Sequence, residues 1–323
     1  MKIQKMSFKD KVNDVYSNYK DIDKPDYKKY DLTAYADFLE LMSLFSNSDG
    51  VTRGDFQDRL FGTDDYDKAE NRDKDENFVN SIFEKTIQRS ILYSDNYPFY
   101  IEKNQSEILK LKTEFNDSSK LYLLLLACSN LNIFDSVQPL LTREFEKVSA
   151  ITLKDFLPKN AVVKEFGENS DYKGNTISKI KDLAKDAGLK LNEEEINEIS
   201  PYNSKEKGCD IFSWVNFGDS NKNKLIFIAQ CTCQKKFESK LSEVNRFTEY
   251  FIFYKKLPIQ LFFIPFSYIN QENKFENSDK FISDYLYFER LRIVTTCKSM
   301  VFSDFQASEL VDGLIAYQEN YID

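Results

Sequence analysis

Residues 208–237 read GCDIFSWVNFGDSNKNKLIFIAQCTCQKKF, and this stretch decides the fold. Two strand-like runs, Asp210–Phe217 and Leu225–Cys231, flank GDSNKN, a turn-forming linker. The second run, LIFIAQC, is apolar at nearly every position, as a strand covered on both faces requires. Folding the hairpin about Ser220–Asn221 pairs residue i with roughly residue 441 − i. That register puts Asp210 across from Cys231, beside Gln230 and Thr232, at the open end of the two strands. Cys233-Gln234-Lys235-Lys236 then opens the next helix, with Lys240 one turn further in.

Working outward, Phe237, Leu241, Val244, Phe247 and Phe251 share one face of a helix spanning roughly 237–256, which stops before Pro258. Upstream, Asn175 or Thr176 caps a helix with apolar positions Ile177, Ile180, Leu183, Ala184 and Ala187, and Gly188 supplies the left-handed stop. Downstream, Ile259–Ile264 and Leu291–Cys297 read as strands, followed by a final helix near Asp304–Gln318. The expectation for 158–323 is an α/β domain, a mixed sheet flanked by helices.

The first half differs. Tyr35, Phe38, Leu39, Met42 and Phe45 have helical spacing, as does the stretch from Phe78 to Leu92. Asn96-Tyr97-Pro98-Phe99 is a break where extended chain or a turn begins. Leu121–Cys128 is far short of the ~20 residues of a membrane span and reads as a buried helix. Residues 1–30 are polar and read as peripheral. These features predict a mostly helical domain over 1–157.

Composition excludes more than it suggests. With 28 Phe, 19 Tyr and only nine Gly, the chain has ample core material and little loop character. There is no histidine. Ser-His-Asp and Cys-His nucleophilic systems, HNH nucleases, histidine-bearing zinc fingers and zincin proteases are therefore excluded. Proton transfer falls to carboxylates, Lys, Tyr or metal-bound water. The N-terminus lacks the apolar core of a signal peptide, and five cysteines fit free thiols, so the expected location is the cytoplasm. The net charge of −9 argues against a wholly nucleic-acid-binding surface. Its distribution is uneven. Segment 62–77 has seven acids against three bases and reads as a solvated loop, whereas 221–260 has eight Lys or Arg against three Glu. Lys222, Lys224, Lys235, Lys236 and Arg246 are the candidate nucleic-acid contacts of that basic stretch.

The hairpin end collects groups suited to phosphodiester hydrolysis. A hard cation, Mg²⁺ or Mn²⁺, takes oxygen ligands: the Asp210 carboxylate, the Gln230 side-chain oxygen, the Cys231 carbonyl and waters. Glu165 and Glu168 are the candidates for a second carboxylate. Lys235, Lys236 or Lys240 supplies positive charge for the phosphate. Taken singly, an Asp before a strand is more often a turn residue. Cys209, Cys231, Cys233 and Cys297 admit a four-thiolate zinc site, although their spacing is not that of paired knuckles.

Asp210 opening one strand, Gln230 ending the next and lysines just beyond resemble the PD-(D/E)XK restriction-endonuclease-like superfamily, in particular Mrr-like members with Gln in place of the motif acid. The segment is also similar to parts of bacterial defence-associated nucleases. The resemblance spans about residues 160–300 and departs from the pattern at Thr232, where the family expects the lysine. It implies a restriction-endonuclease-like fold, with Asp210 and Gln230 as metal ligands and Lys240, Lys236 or Lys235 as the displaced catalytic lysine. It further implies a Mg²⁺-dependent endodeoxyribonuclease in anti-phage defence. The helical domain would then recognise DNA or dock a partner subunit, such as an ATPase or sensor, or a second copy. Two other readings stay open: a nuclease-fold subunit without catalysis, and a nuclease for RNA or branched DNA. None of the three involves a membrane.

Overall fold

The computed structural model describes residues 8–22, 31–46, 50–62, 69–103, 107–167, 169–200, 208–219, 221, 224–237, 240–253, 257–270, 272, 274–275 and 285–317. The chain divides into two units: Met1–Leu141 with Ser267–Lys274 and Val301–Asp323, and Thr142–Phe266 with Phe275–Met300. The division thus falls at 142 rather than 158. The cause lies in α6 (Gln138–Phe156), whose residues from Thr142 onward pack with the second unit.

The first unit is built from α1 (Phe8–Lys20), α2 (Leu32–Phe45), β1 (Val51–Thr52), α3 (Arg53–Phe61), α4 (Ala69–Tyr93), β2 (Phe99–Lys103), β3 (Glu107–Leu111) and α5 (Asp117–Cys128). Local chemistry sets the helix starts. The Asp31 side chain accepts from the Ala34 N–H, Thr52 and Asp55 form a capping box, and Asn116 accepts from Ser119. The unit is helix-rich, as its spacing predicts, but it also holds a three-stranded antiparallel sheet, ordered β1-β3-β2, whose strands β2 and β3 follow the break at Pro98. Two expectations are corrected. Of segment 62–77, read as loop, residues 69–77 form the first turns of α4, and 63–68 lie outside the described residues. Residues 8–20, read as peripheral, form α1, whose Val12, Val15 and Tyr19 recur at helical spacing and are buried.

Helix α2 is buried nearly all round, and its two acids are neutralised inside the unit. The Arg89 guanidinium lies 2.7 Å from both Asp37 and Glu40. Tyr97 and Tyr122 donate to Glu40 at 2.7 and 2.9 Å, and Ser129 donates to Asp37 at 2.8 Å. Burial opposes the Arg89 charge, but Glu40 and Asp37 hold it protonated, while burial and Glu40 push the Tyr97 hydroxyl far above its usual range.

In the second unit a five-stranded mixed sheet provides the frame. Its strands are β4 (Ala161–Glu165), β6 (Ile211–Val215), β7 (Ile226–Cys231), β9 (Ile259–Phe263) and β10 (Tyr285–Phe288). Neighbours β4/β6 and β6/β7 are antiparallel; β7/β9 and β9/β10 are parallel. Between the strands lie α7 (Thr176–Ala187), β5 (Lys190–Leu191), α8 (Glu193–Asn197), α9 (Leu241–Thr248) and β8 (Phe251–Ile252). Phe212 packs with Phe247 and Phe251 on one sheet face, while Cys231, which points to the other, meets Ser149 of α6. The architecture is α/β, with helices on both faces of the mixed sheet.

Helix α7 has its expected ends: Asn175 accepts from Ser178, and Gly188 adopts a left-handed φ of 69°. Elsewhere the structure departs from the expectation. The helix read over 237–256, opened by 233–236, spans only Leu241–Thr248: Lys240 is its N-cap rather than a turn inside it, and residues just beyond Thr248 pair as β8 with β5. The strand read at Leu291–Cys297 is a helix, α10 (Arg290–Thr296). The buried Glu289 carboxylate accepts from the N–H groups of Leu291 and Arg292, both at 2.9 Å, and so starts a helix where β-branched residues suggested a strand. The strand at this point in the sheet is the preceding β10. The last helix, α11 (Ser308–Ile315), belongs to the first unit, not the second. Strand β4 had no counterpart in the sequence pattern.

Candidate active site at the hairpin end

The β6–β7 hairpin pairs Ile211 with Ala229 and Trp214 with Ile226, one residue out from the expected register. Continued by one step, Asp210 falls across from Gln230, not Cys231. Asp210 does not simply extend the ladder. Its N–H donates to Ala229 at 2.9 Å, and its carbonyl accepts from both Phe166 and Gly167 at 2.7 and 3.1 Å. Its side chain takes the place of a backbone acceptor, receiving the Cys231 N–H at 2.7 Å.

Gly208 makes this approach possible. Its φ of 108° is closed to ordinary L residues, and an added Cβ would lie 2.0 Å from the carbonyl oxygen of Glu243. The chain entering β6 is therefore pressed against the first turn of α9. That contact brings Glu243 and Lys240 to the hairpin end. The Gln230 amide donates from Nε2 to the Glu243 carboxylate at 3.1 Å. Its Oε1 is buried and has no hydrogen-bond partner among the described residues. Gln230 as a whole is 4% exposed, so the orphaned acceptor is costly unless something occupies it.

Gly167 shapes the other side. A Cβ there would sit 2.8 Å from Asp210 Oδ1 and 2.9 Å from Glu146 Oε2. Two carboxylates thus abut one small space that only a glycine leaves open. Burial is the main force on Asp210 and pushes its carboxyl up to about 6. The Cys231 N–H and the Lys240 charge pull the other way, and the Glu243 charge adds to the rise.

The remaining expected residues fall in separate places. Glu165 ends β4, half-buried, and the charges acting on it are Asp171, Lys147 and Glu144. The second carboxylate beside Asp210 is Glu146 instead. Burial, then Asp171, raises the Glu165 carboxyl. Glu168 and Lys222 lie outside the described residues. Of the three lysines, Lys240 acts electrostatically on Asp210; Lys235 stacks 5.5 Å over the Phe266 ring, and Lys236 is exposed. Thr232 forms a local turn by accepting from the Gln234 N–H at 3.1 Å. Lys224 donates to the Ala187 carbonyl at 3.0 Å, which closes α7, and Arg246 is exposed in the last turn of α9. The five cysteines are free thiols. Burial, reinforced by Asp210 and Glu146, pushes the Cys231 thiol well up, and burial pushes Cys297 up to about 11; among the described residues Cys209, Cys231, Cys233 and Cys297 do not gather as a metal site.

Glu146 and Glu243 were missed by sequence reasoning. Glu243 left a weak signal, a polar position on the helix next to Gln230; Glu146 left none, because it reaches the site only through the placement of α6. Among the described residues no three or more His, Cys, Asp or Glu gather as a ready ligand cage. Magnesium does not require one: it is commonly held by one or two carboxylates, with waters and substrate phosphates completing its shell. Asp210, Glu146 and the unpartnered Gln230 oxygen are of the right chemistry for that set. No family model, curated protein or solved structure matches the chain.

Proposed function

We propose that the chain is a Mg²⁺- or Mn²⁺-dependent endodeoxyribonuclease of the restriction-endonuclease-like fold. The observation that carries this reading is the orphaned Gln230 Oε1, buried on the same hairpin end as the Asp210 carboxylate. An acceptor hidden from water, on a hairpin end that also carries a buried carboxylate, is suited to a hard cation. The mixed sheet with helices on both faces, and an Asp and a Gln at the ends of adjacent antiparallel strands, also agree with the resemblance. When bound, the ion would lower the pKa of a coordinated water and neutralise charge on a phosphodiester.

The protein's own residues divide the remaining work. Asp210 and Gln230 would hold the ion, and the Glu146 carboxylate, across Gly167 from Asp210, adds negative charge beside Asp210. Asp210 must be ionised to do so, and the Cys231 N–H and Lys240 favour that form. Lys240 is the lysine that offers positive charge to a phosphate, since its charge acts on Asp210. With no histidine available, a carboxylate or bulk water accepts the proton from the attacking water. A role in defence against foreign DNA, with a partner subunit or second copy on the first unit, belongs to the same proposal.

A second reading, a nuclease-fold subunit that has lost catalysis, is favoured by one observation: Thr232 occupies the expected lysine position and is engaged in a turn. Plasmid cleavage with Mg²⁺ or Mn²⁺ separates the two. Metal-dependent nicking that Asp210→Ala and Gln230→Ala both abolish supports the enzyme. Nicking that survives both changes removes these residues from the mechanism, and absence of cleavage on DNA and RNA supports the subunit.

A further inference from the structure

We propose that Glu243 is a positioning residue that fixes the Gln230 side-chain amide so that Oε1, not Nε2, is the atom offered to a hard cation; this rests on the metal-dependent reading above. A glutamine amide can turn either end toward a site, and a cation can use only the oxygen. A carboxylate accepts but does not donate, so its contact with Gln230 selects one of the two orientations. The Nε2–Glu243 hydrogen bond of 3.1 Å is that contact. Oε1 is thereby left on the other branch of the amide, buried and without a hydrogen-bond partner among the described residues.

The contact is built into the backbone. Glu243 stands in the first turn of α9, and its carbonyl lies against Gly208, at a distance that no Cβ would permit. The segment that delivers Asp210 is thus the one that sets how close Glu243 comes to Gln230. The metal-facing acid and the orientation of its amide partner share a single glycine contact.

Two measurements test this. The first, without metal, is hydrogen exchange of the Gln230 side-chain NH₂ by NMR. Exchange is slow in the wild type and in Glu243→Gln, whose own amide oxygen can still accept, and fast in Glu243→Ala. The second is a Mn²⁺ titration followed by thermal shift. Apparent affinity falls about 10–100-fold in Glu243→Ala, the usual effect of losing a ligand's outer partner, and stays within roughly threefold of wild type in Glu243→Gln. Should Glu243→Ala not fold, Glu243→Asp, one methylene short of Gln230, is expected to behave in its place. Unchanged exchange in the Ala variant overturns the proposal. So does a Gln variant as weak as the Ala variant, since Glu243 would then act through charge. A wild type that binds no Mn²⁺ while the exchange difference persists overturns the metal reading, and the role assigned to Oε1 with it.

Discussion

Replacing Asp210 by Asn should stabilise the second unit at neutral pH, and the magnitude follows from the site. Burial pushes the Asp210 carboxyl from 3.8 to about 6. At ~1.4 kcal/mol per pH unit the difference is ~3 kcal/mol, an upper bound because part of the residue reaches solvent. The sign follows from proton binding. Between about pH 4 and 6 the folded chain keeps a proton that the unfolded chain has released. The contribution of Asp210 to stability is therefore full below pH 4 and lost as pH rises through 6. Asn cannot ionise, and its oxygen can still accept the Cys231 N–H. Urea denaturation followed by the fluorescence of Trp214, the single tryptophan and a β6 residue, reads this unit directly. The variant should match wild type at pH 4 and exceed it by up to ~3 kcal/mol at pH 7.5. Mg²⁺ at pH 7.5 should raise the wild-type midpoint and leave that of the variant unchanged. A difference independent of pH, or a variant weaker than wild type at pH 7.5, would refute the reasoning.

Other perturbations give distinct outcomes. Arg89→Ala leaves Asp37 and Glu40 without their buried guanidinium, and far-UV circular dichroism in urea should show a loss of about 3–5 kcal/mol in the first unit. Glu289→Ala removes the acceptor for two N–H groups at the start of α10 and should cost about 1 kcal/mol by thermal unfolding at pH 5. The loss should shrink as pH rises past 6, because burial lifts the Glu289 carboxyl to about 6 and its ionised form is the less favoured. Lys240→Ala should lower plasmid nicking by about 100-fold, while Lys236→Ala leaves it within a few-fold, since the charge of the former acts on Asp210.

What the sequence made legible was local. The Asn175 cap and Gly188 stop defined α7, and apolar alternation with a polar turn defined the hairpin, because such signals need no distant partner. The register escaped by one residue, since a loop of this length leaves several pairings open, and the choice was made by Asp210 bonding to both neighbouring strands. Arg290–Thr296 was misread because a short apolar, β-branched run suits strand or helix alike, and the Glu289 carboxylate decides between them. Asp210 and Gln230 could be paired from sequence because one hairpin joins them. Glu146 could not, as it arrives from a helix distant in the chain.

The first unit draws on three separate pieces of chain, and this governs the order in which it can form. Lys85 and Tyr93 of α4 bond to Ile269 and Ser267, and Asp117 accepts from Phe302. Val12 of α1 lies against Gly313, and Tyr16 packs 4.6 Å from the Tyr317 ring. On the ribosome, then, α1 to α5 emerge long before the residues that complete their packing. The second unit's β-hairpin is synthesised while the first is still waiting for its closing helix. A fragment cut at 141 or 157 would expose the face of α1 that α11 covers, and should aggregate rather than fold.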